Sequence, residues 1–295
     1  MSQDLIKLPF KHSEGLEIGI EILSLKDLYI RQKSLDHQIT DPHRIGFYML
    51  LYITSGEAHH TVDFQSFPIA PQTLAIVSKH QINQFRDQPA LEGYLILITE
   101  EFLQRALFDL EGTVTSLLFE PITTQALFLQ GAESVYPHIK RLDEEYHSGN
   151  NDAQHAPILT RELGILLLKA ERLRSEQLPQ SVQNAETSVR LIAFRDLLER
   201  YFKKHWTAQM YADTLGFSKR TLGSITRKHL NRTPKEVIDQ RLLLEIKRLL
   251  AHTDQSIKEI AFELGFEDPS NVNKFFKRLS GSTPSSFRQN LKIAT

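Results

Sequence analysis

Two short segments carry the side chains that could read a nucleic acid. In residues 219–228, Leu222 and Ile225 mark an inward helical face and leave Lys219, Arg220, Thr221, Ser224, Arg227 and Lys228 on the other. In residues 270–278, Val272, Phe275 and Phe276 do the same for Ser270, Asn271, Asn273, Lys274, Lys277 and Arg278. A forked guanidinium matches guanine O6 and N7, a side-chain amide matches adenine N6 and N7, and cations or hydroxyls hold phosphates. The expected base readers are Arg220, Thr221, Ser224, Ser270, Asn271, Asn273 and Lys274. The expected phosphate contacts are Lys219, Arg227, Lys228, Lys277 and Arg278. Each alone is equally well read as a solvated helix face; two such sets, each flanked by the same turn, are harder to dismiss.

The turn is written twice. Ala212, Leu215, Gly216 and Phe217 return as Ala261, Leu264, Gly265 and Phe266, and Thr233-Pro234 returns as Thr283-Pro284. A small residue lets two helices cross closely, and Leu-Gly ends the first helix in a left-handed corner, so the spacing predicts two helix-turn-helix units at residues 207–228 and 256–279. Ser218 is the expected cap of the first reading helix, Ser256 of the second supporting helix, and Asp268 or Ser270 of the second reading helix. Between the units, residues 235–251 predict one helix, started by Thr233 and Pro234, with Val237, Ile238, Leu242, Leu243, Ile246, Leu249 and Leu250 inward. It spans about 24 Å at 1.5 Å per residue, which suits two reading helices set near the ~34 Å repeat of successive major grooves.

Charge supports this once the chain is divided. The 295 residues carry 35 basic and 36 acidic side chains, a net of −1. From Thr187 onward there are 20 basic against 11 acidic, and residues 1–186 hold 15 against 25. A basic C-terminal third points to a polyanionic partner for that part only. Cysteine is absent, which excludes disulfides and thiolate metal sites and fits a reducing compartment. No 18-residue apolar run and no signal-peptide pattern occurs, so the expected location is the cytoplasm, with no membrane partner.

Residues 44–98 alternate like short strands broken by Ser55-Gly56, Pro68 and Pro71-Gln72, which implies a β-barrel or sandwich. Helical periods follow at 100–107, 132–147 and 156–174. Residues 175–187 read as a connector, and Ser188 as the cap of the helix that opens the C-terminal part.

The C-terminal third resembles the DNA-binding domain of AraC/XylS transcription regulators. The similarity is carried by Ile257 through Phe266, Glu267 through Ser270, Phe276 through Arg278, Gly281, Thr283-Pro284 and Phe287-Arg288. Phe47 through Gly56, followed by Thr61 through Phe64, resembles that family's cupin-like barrel. Three residues depart from the pattern: Thr226 and Val272 where aromatics are usual, and Asn231 for Gly. Gly223 also sits inside a reading helix at a cost of about 1 kcal/mol against Ala, either to let DNA approach or because this helix reads less sequence.

The resemblance implies an α+β protein. Residues 1–174 would form a cupin-like β-barrel with packed helices for effector binding and dimerisation, 175–187 a linker, and 188–295 an all-α DNA-binding domain. It further implies a transcription regulator bound to double-stranded promoter DNA, a small-molecule effector, a homodimer, and RNA polymerase as a further partner, with no cofactor. Candidate effector contacts are Arg44, Tyr48, Tyr52, His60 and His80. Leu159, Leu163, Leu166 and Leu167 offer either a dimer surface or an intradomain core. The alternatives are an architectural DNA-binding protein and a metal-dependent cupin enzyme. The second is disfavoured because adjacent His59 and His60 on a strand point to opposite faces.

Overall fold

A computed structural model describes residues 6–10, 18–32, 40–85, 91–107, 127–149, 152–177 and 185–294. Among them no helix is long and apolar enough to cross a membrane. The chain divides into two compact units, with the boundary at residues 180 and 181.

The N-terminal unit runs β1 (Ile6–Leu8), β2 (Ile20–Ser24), α1 (Leu25–Gln32), β3 (His43–Ile45), β4 (Tyr48–Ser55), β5 (Ala58–Val62), β6 (Gln65–Ile69), β7 (Leu74–Val77), β8 (Ile82–Phe85) and β9 (Glu92–Ile98). Then come α2 (Glu100–Leu107), β10 (Leu127–Leu129), α3 (Tyr136–Tyr146) and α4 (His155–Gln177). The strands form two five-stranded sheets, ordered β1-β3-β8-β5-β6 and β10-β7-β4-β9-β2. All pairs are antiparallel except β1 with β3.

The expected barrel is therefore corrected: among the described strands no ladder joins one sheet to the other, and each keeps two edges. Closure needs a continuous hydrogen-bonded ring, whereas the edge strands β1 and β10 are only three residues long. Apolar alternation told which residues face inward, but not which edges meet.

Apolar contacts rather than hydrogen bonds hold the sheets together. Met49, Leu51 and Ile53 of β4 join Ile45, Val62, Ile69 and Phe85 of the facing sheet in one core. Their neighbours Leu50 and Tyr52 point the other way, into a second core with Phe102, Ile139, Leu142 and the inner side of α4. The second sheet is thus buried on both faces, which is why β4 reads as a nearly continuous apolar run. Leu159, Leu163, Leu166 and Leu167 lie wholly in that helix-side core, so of their two readings the intradomain one holds.

His60 shows what burial does to a polar side chain here. Its Nε2 donates to Asn83 Oδ1 at 2.7 Å; Asn83 Nδ2 donates to His43 Nε2 at 2.6 Å, and His43 Nδ1 to the Asp41 carbonyl at 2.8 Å. The ring stacks on Phe85 at 4.7 Å and meets the edge of Phe128 at 5.9 Å.

Burial pushes the His60 imidazole from 6.5 down to about 4, against the opposing effect of the Asn83 bond. Between those values only the unfolded chain takes up the proton, so stability is complete above pH 6.5 and declines toward pH 4. The fall should approach about 3 kcal/mol at 1.36 kcal/mol per unit. Thermal unfolding of the N-terminal unit followed against pH should show this slope, and His60→Gln should flatten it; an unchanged slope in the variant would assign the acid sensitivity elsewhere.

The C-terminal unit is all helical: α5 (Ala185–Tyr201), α6 (Ala208–Thr214), α7 (Lys219–Leu230), α8 (Pro234–His252), α9 (Ile257–Glu263), α10 (Pro269–Ser280) and α11 (Pro284–Ala294). The expected connector falls mostly on 178–184, outside the described residues, and the residues at each end of it are helical. Ser188 lies inside α5 rather than at its start, which corrects its reading as a cap.

Candidate nucleic-acid interface

Each corner closes with the same two bonds. The Phe217 N–H reaches the Ala212 carbonyl at 2.8 Å and Gly216 reaches Asp213 at 3.1 Å; Phe266 reaches Ala261 at 2.9 Å and Gly265 reaches Phe262 at 3.1 Å. Both glycines are left-handed, at φ 68° and 79°. This pairing satisfies carbonyls at the end of each supporting helix and turns the chain toward the next one.

Side chains set the helix starts. Thr207 accepts from the Met210 N–H, Ser218 from Thr221 at 3.0 Å, and Asp268 from Ser270 at 2.6 Å, with Pro269 in the first turn of α10. Thr233 with Glu236 and Ser256 with Glu259 form reciprocal capping boxes at α8 and α9. Backbone N–H donors hold the Glu236, Glu259 and Asp268 carboxyls below their ordinary range, so all three caps stay ionised at neutral pH.

One core holds both units. Leu222 and Ile225 of α7 and Val272 and Phe276 of α10 are buried with Val237, Leu242, Leu243, Ile246, Leu249 and Leu250 of α8 and Phe194 and Leu198 of α5. All seven residues expected inward on α8 are buried. At the departures from the resemblance, Thr226 is fully buried and bonds the Gly223 carbonyl at 3.4 Å, and Asn231 takes the left-handed conformation that ends α7. Among the described residues, a Cβ on Gly223 would meet only Arg227 Nη1, at 3.9 Å. Space therefore does not require that glycine.

On α7, Lys219, Arg220, Ser224, Arg227 and Lys228 are exposed. Thr221 is half-buried, and its hydroxyl lies 2.8 Å from the capping Ser218 Oγ. On α10, Ser270, Asn271, Asn273, Lys274, Lys277 and Arg278 are exposed. Asn273 Nδ2 donates back to the Pro269 carbonyl at 3.4 Å. Arg278 pairs with Asp239 of α8 at 3.2 Å and lies over the Phe275 ring, so it ties α10 to α8 besides facing solvent.

The effector candidates are not brought together. His60 is buried between the sheets, while Tyr48 and Tyr52 pack on the helix side of β4, Tyr52 stacked on Tyr136 at 5.4 Å. Arg44 lies half-buried on β3, and His80 is exposed in the turn between β7 and β8.

Sequence reasoning missed a charged cluster inside the C-terminal core. Arg241 Nε donates to Glu199 at 2.7 Å and Nη1 to Glu245 at 3.1 Å, and Arg248 Nη1 reaches the same Glu245 oxygen at 3.3 Å. Arg241 also caps the Phe202 ring at 4.0 Å. Exposures of 3%, 2% and 1% for Arg241, Glu245 and Arg248 make this an interior network. Its signal was opposite charges at i, i+4 and i+7 amid the apolar residues of α8, a spacing usually given to a solvated face.

Comparison with known proteins fits this arrangement. Residues 211–290 match a family model described as a helix-turn-helix domain, and residues 26–168 one described as an AraC-like ligand binding domain. The HTH-type transcriptional activator RhaS of Enterobacter sp. (strain 638) is 23% identical over 249 residues, covering 84% of this chain and 87% of that protein. The protein of the same name from Salmonella arizonae is 24% identical with the same coverage. Among solved structures, ToxT from Vibrio cholerae O395 gives a TM-score of 0.44 at 15% identity over 84% of this chain and 90% of that one. The two family models and the RhaS proteins point to regulators rather than to an enzyme family. With its duplicated corner, basic reading helices and both family regions in place, the chain belongs to the AraC/XylS family of transcription regulators and binds DNA sequence-specifically.

Proposed function

We propose that this regulator binds promoter DNA as a homodimer through both helix-turn-helix units, under the control of a small molecule held in the N-terminal unit. The observation that carries the DNA reading is the division of α7 and α10. One face of each is buried in a common core, and the other presents cations, amides and hydroxyls from just beyond a capped N-terminus. Arg220 is the reader of guanine, and Asn271 and Asn273 are readers of adenine. Lys219, Arg227, Lys228 and Lys277 hold phosphates and set the register.

Effector control is supported by the family match over residues 26–168 and by an aromatic cluster between the sheets. Phe67 of β6 stacks on Phe128 of β10 at 4.1 Å, beside His60 and Phe85. His60 Nδ1 is a buried acceptor with no hydrogen-bond partner among the described residues. Dimerisation is supported by the outer face of α4, where Ile158, Ile165 and Leu168 are 43%, 38% and 40% exposed at i, i+7 and i+10. Contact with RNA polymerase follows for a promoter-bound activator such as the relatives are named to be.

Two experiments test this reading. Binding to a duplex selected by the protein, and to single-base variants of it, should show Arg220→Ala losing roughly 1–3 kcal/mol of discrimination at one position, while Lys277→Ala weakens all duplexes alike. Equal losses for both variants on every duplex would remove Arg220 from the reading set. Sedimentation of the full chain should show a dimer that Ile165→Glu with Leu168→Glu converts to a folded monomer; a monomeric wild type, or a variant that stays dimeric, would contradict the α4 interface.

A further inference from the structure

The two corners differ in one respect that the repeat itself does not require. A Cβ on Gly216 would meet nothing among the described residues within 4 Å, whereas one on Gly265 would run into the Lys203 carbonyl oxygen. Lys203 belongs to the short turn Phe202–Lys204 that follows α5 and leads into the first helix-turn-helix. Three further contacts join the same two segments. His205 Nε2 donates to the Leu264 carbonyl at 2.9 Å, the His205 ring meets Phe266 edge to face at 4.4 Å, and Lys203 pairs with Glu263 at 3.2 Å. His205 sits at φ 53°, a left-handed conformation that aims its ring there.

The path continues into the first unit. Trp206 stacks on Tyr201 at 4.3 Å and packs on Tyr211 of α6 at 5.5 Å, and Tyr211 is fully buried. The corner that aims α10 is thus clasped by the residues that position α6 and hence α7, by a route that bypasses α8. Two routes between the same pair of units remove a freedom that one helix leaves, namely rotation and slide of one unit about the α8 axis.

We propose that the clasp of Lys203 and His205 on the second corner is a spacing determinant: it fixes the offset between α7 and α10 and so the number of base pairs between the two DNA segments they contact. His205 and Gly265 are its positioning residues, acting on DNA only through the reading helices. The inference rests on both units reading the same duplex.

The test uses the full chain and the duplex that the wild type selects from a randomised pool, with derivatives carrying one base pair added or removed between the two footprinted segments. The wild type should lose on the order of tenfold in affinity for either derivative. His205→Asn, which tolerates the left-handed backbone but falls short of the Leu264 carbonyl, should lose less than about threefold. His205→Gln, whose amide restores a donor at that reach, should recover the wild-type penalty. A His205→Asn protein with wild-type melting temperature that keeps the tenfold penalty, or that weakens equally on all three duplexes, overturns the proposal. Gly265→Ala and Gly216→Ala give a second comparison, because both impose the same backbone strain and only the first meets the clasp. Gly265→Ala should relax the spacing preference and Gly216→Ala retain it; identical behaviour also overturns the proposal. A wild-type footprint with a single protected segment would instead sink the two-unit reading itself, and the clasp's role with it.

Discussion

The C-terminal unit depends on one constraint: the two helix-turn-helix units have no cores of their own. Supporting helices of seven residues cannot bury enough apolar surface to hold a corner alone. Each therefore borrows α8, whose Val237, Leu242, Ile246, Leu249 and Leu250 share a cluster with Leu222 and Ile225 from one side and Ile260, Val272 and Phe276 from the other. The corner bonds, caps and exposed basic faces have defined positions because this shared layer is packed. The interior charges sharpen the point. Taking Arg241, Glu245 and Arg248 out of water is costly, and their mutual bonds with Glu199 offset that cost only in one relative placement of α5 and α8.

What could be read from the sequence follows from how local each signal is. The corners were legible because Leu-Gly-Phe after an alanine fixes its own hydrogen bonds within six residues. The inner face of α8 was legible for the same reason, since helical period alone sorts its apolar positions. The charges on that helix were not: Glu199 lies over forty residues from Arg241, and only the tertiary fold shows that the pair is interior. The pairing of Arg278 with Asp239 is equally non-local, since nothing near either residue in sequence announces the other.

The same limit governed the N-terminal unit. Alternation located the strands, but β4 is covered on both faces, so its parity could not say whether Tyr48 and Tyr52 look toward the other sheet or toward the helices. Closure into a barrel is a statement about edges, and edges are set by pairings between strands far apart in sequence, such as β2 with β9. The leucines of α4 are inward for a related reason. A helix with apolar residues on more than one side buries its widest stripe, Leu159 to Ala170, and leaves Ile158, Ile165 and Leu168 outside.

Native-state amide hydrogen exchange on the full chain tests the shared core most directly. Amides in α6, α7, α9 and α10 should open with the same free energy as those in the middle of α8, because none of these helices can leave without exposing the layer that holds the rest. Exchange of one helix-turn-helix through an opening several kcal/mol easier than that of α8, with the other still protected, would show two independent modules and contradict the account.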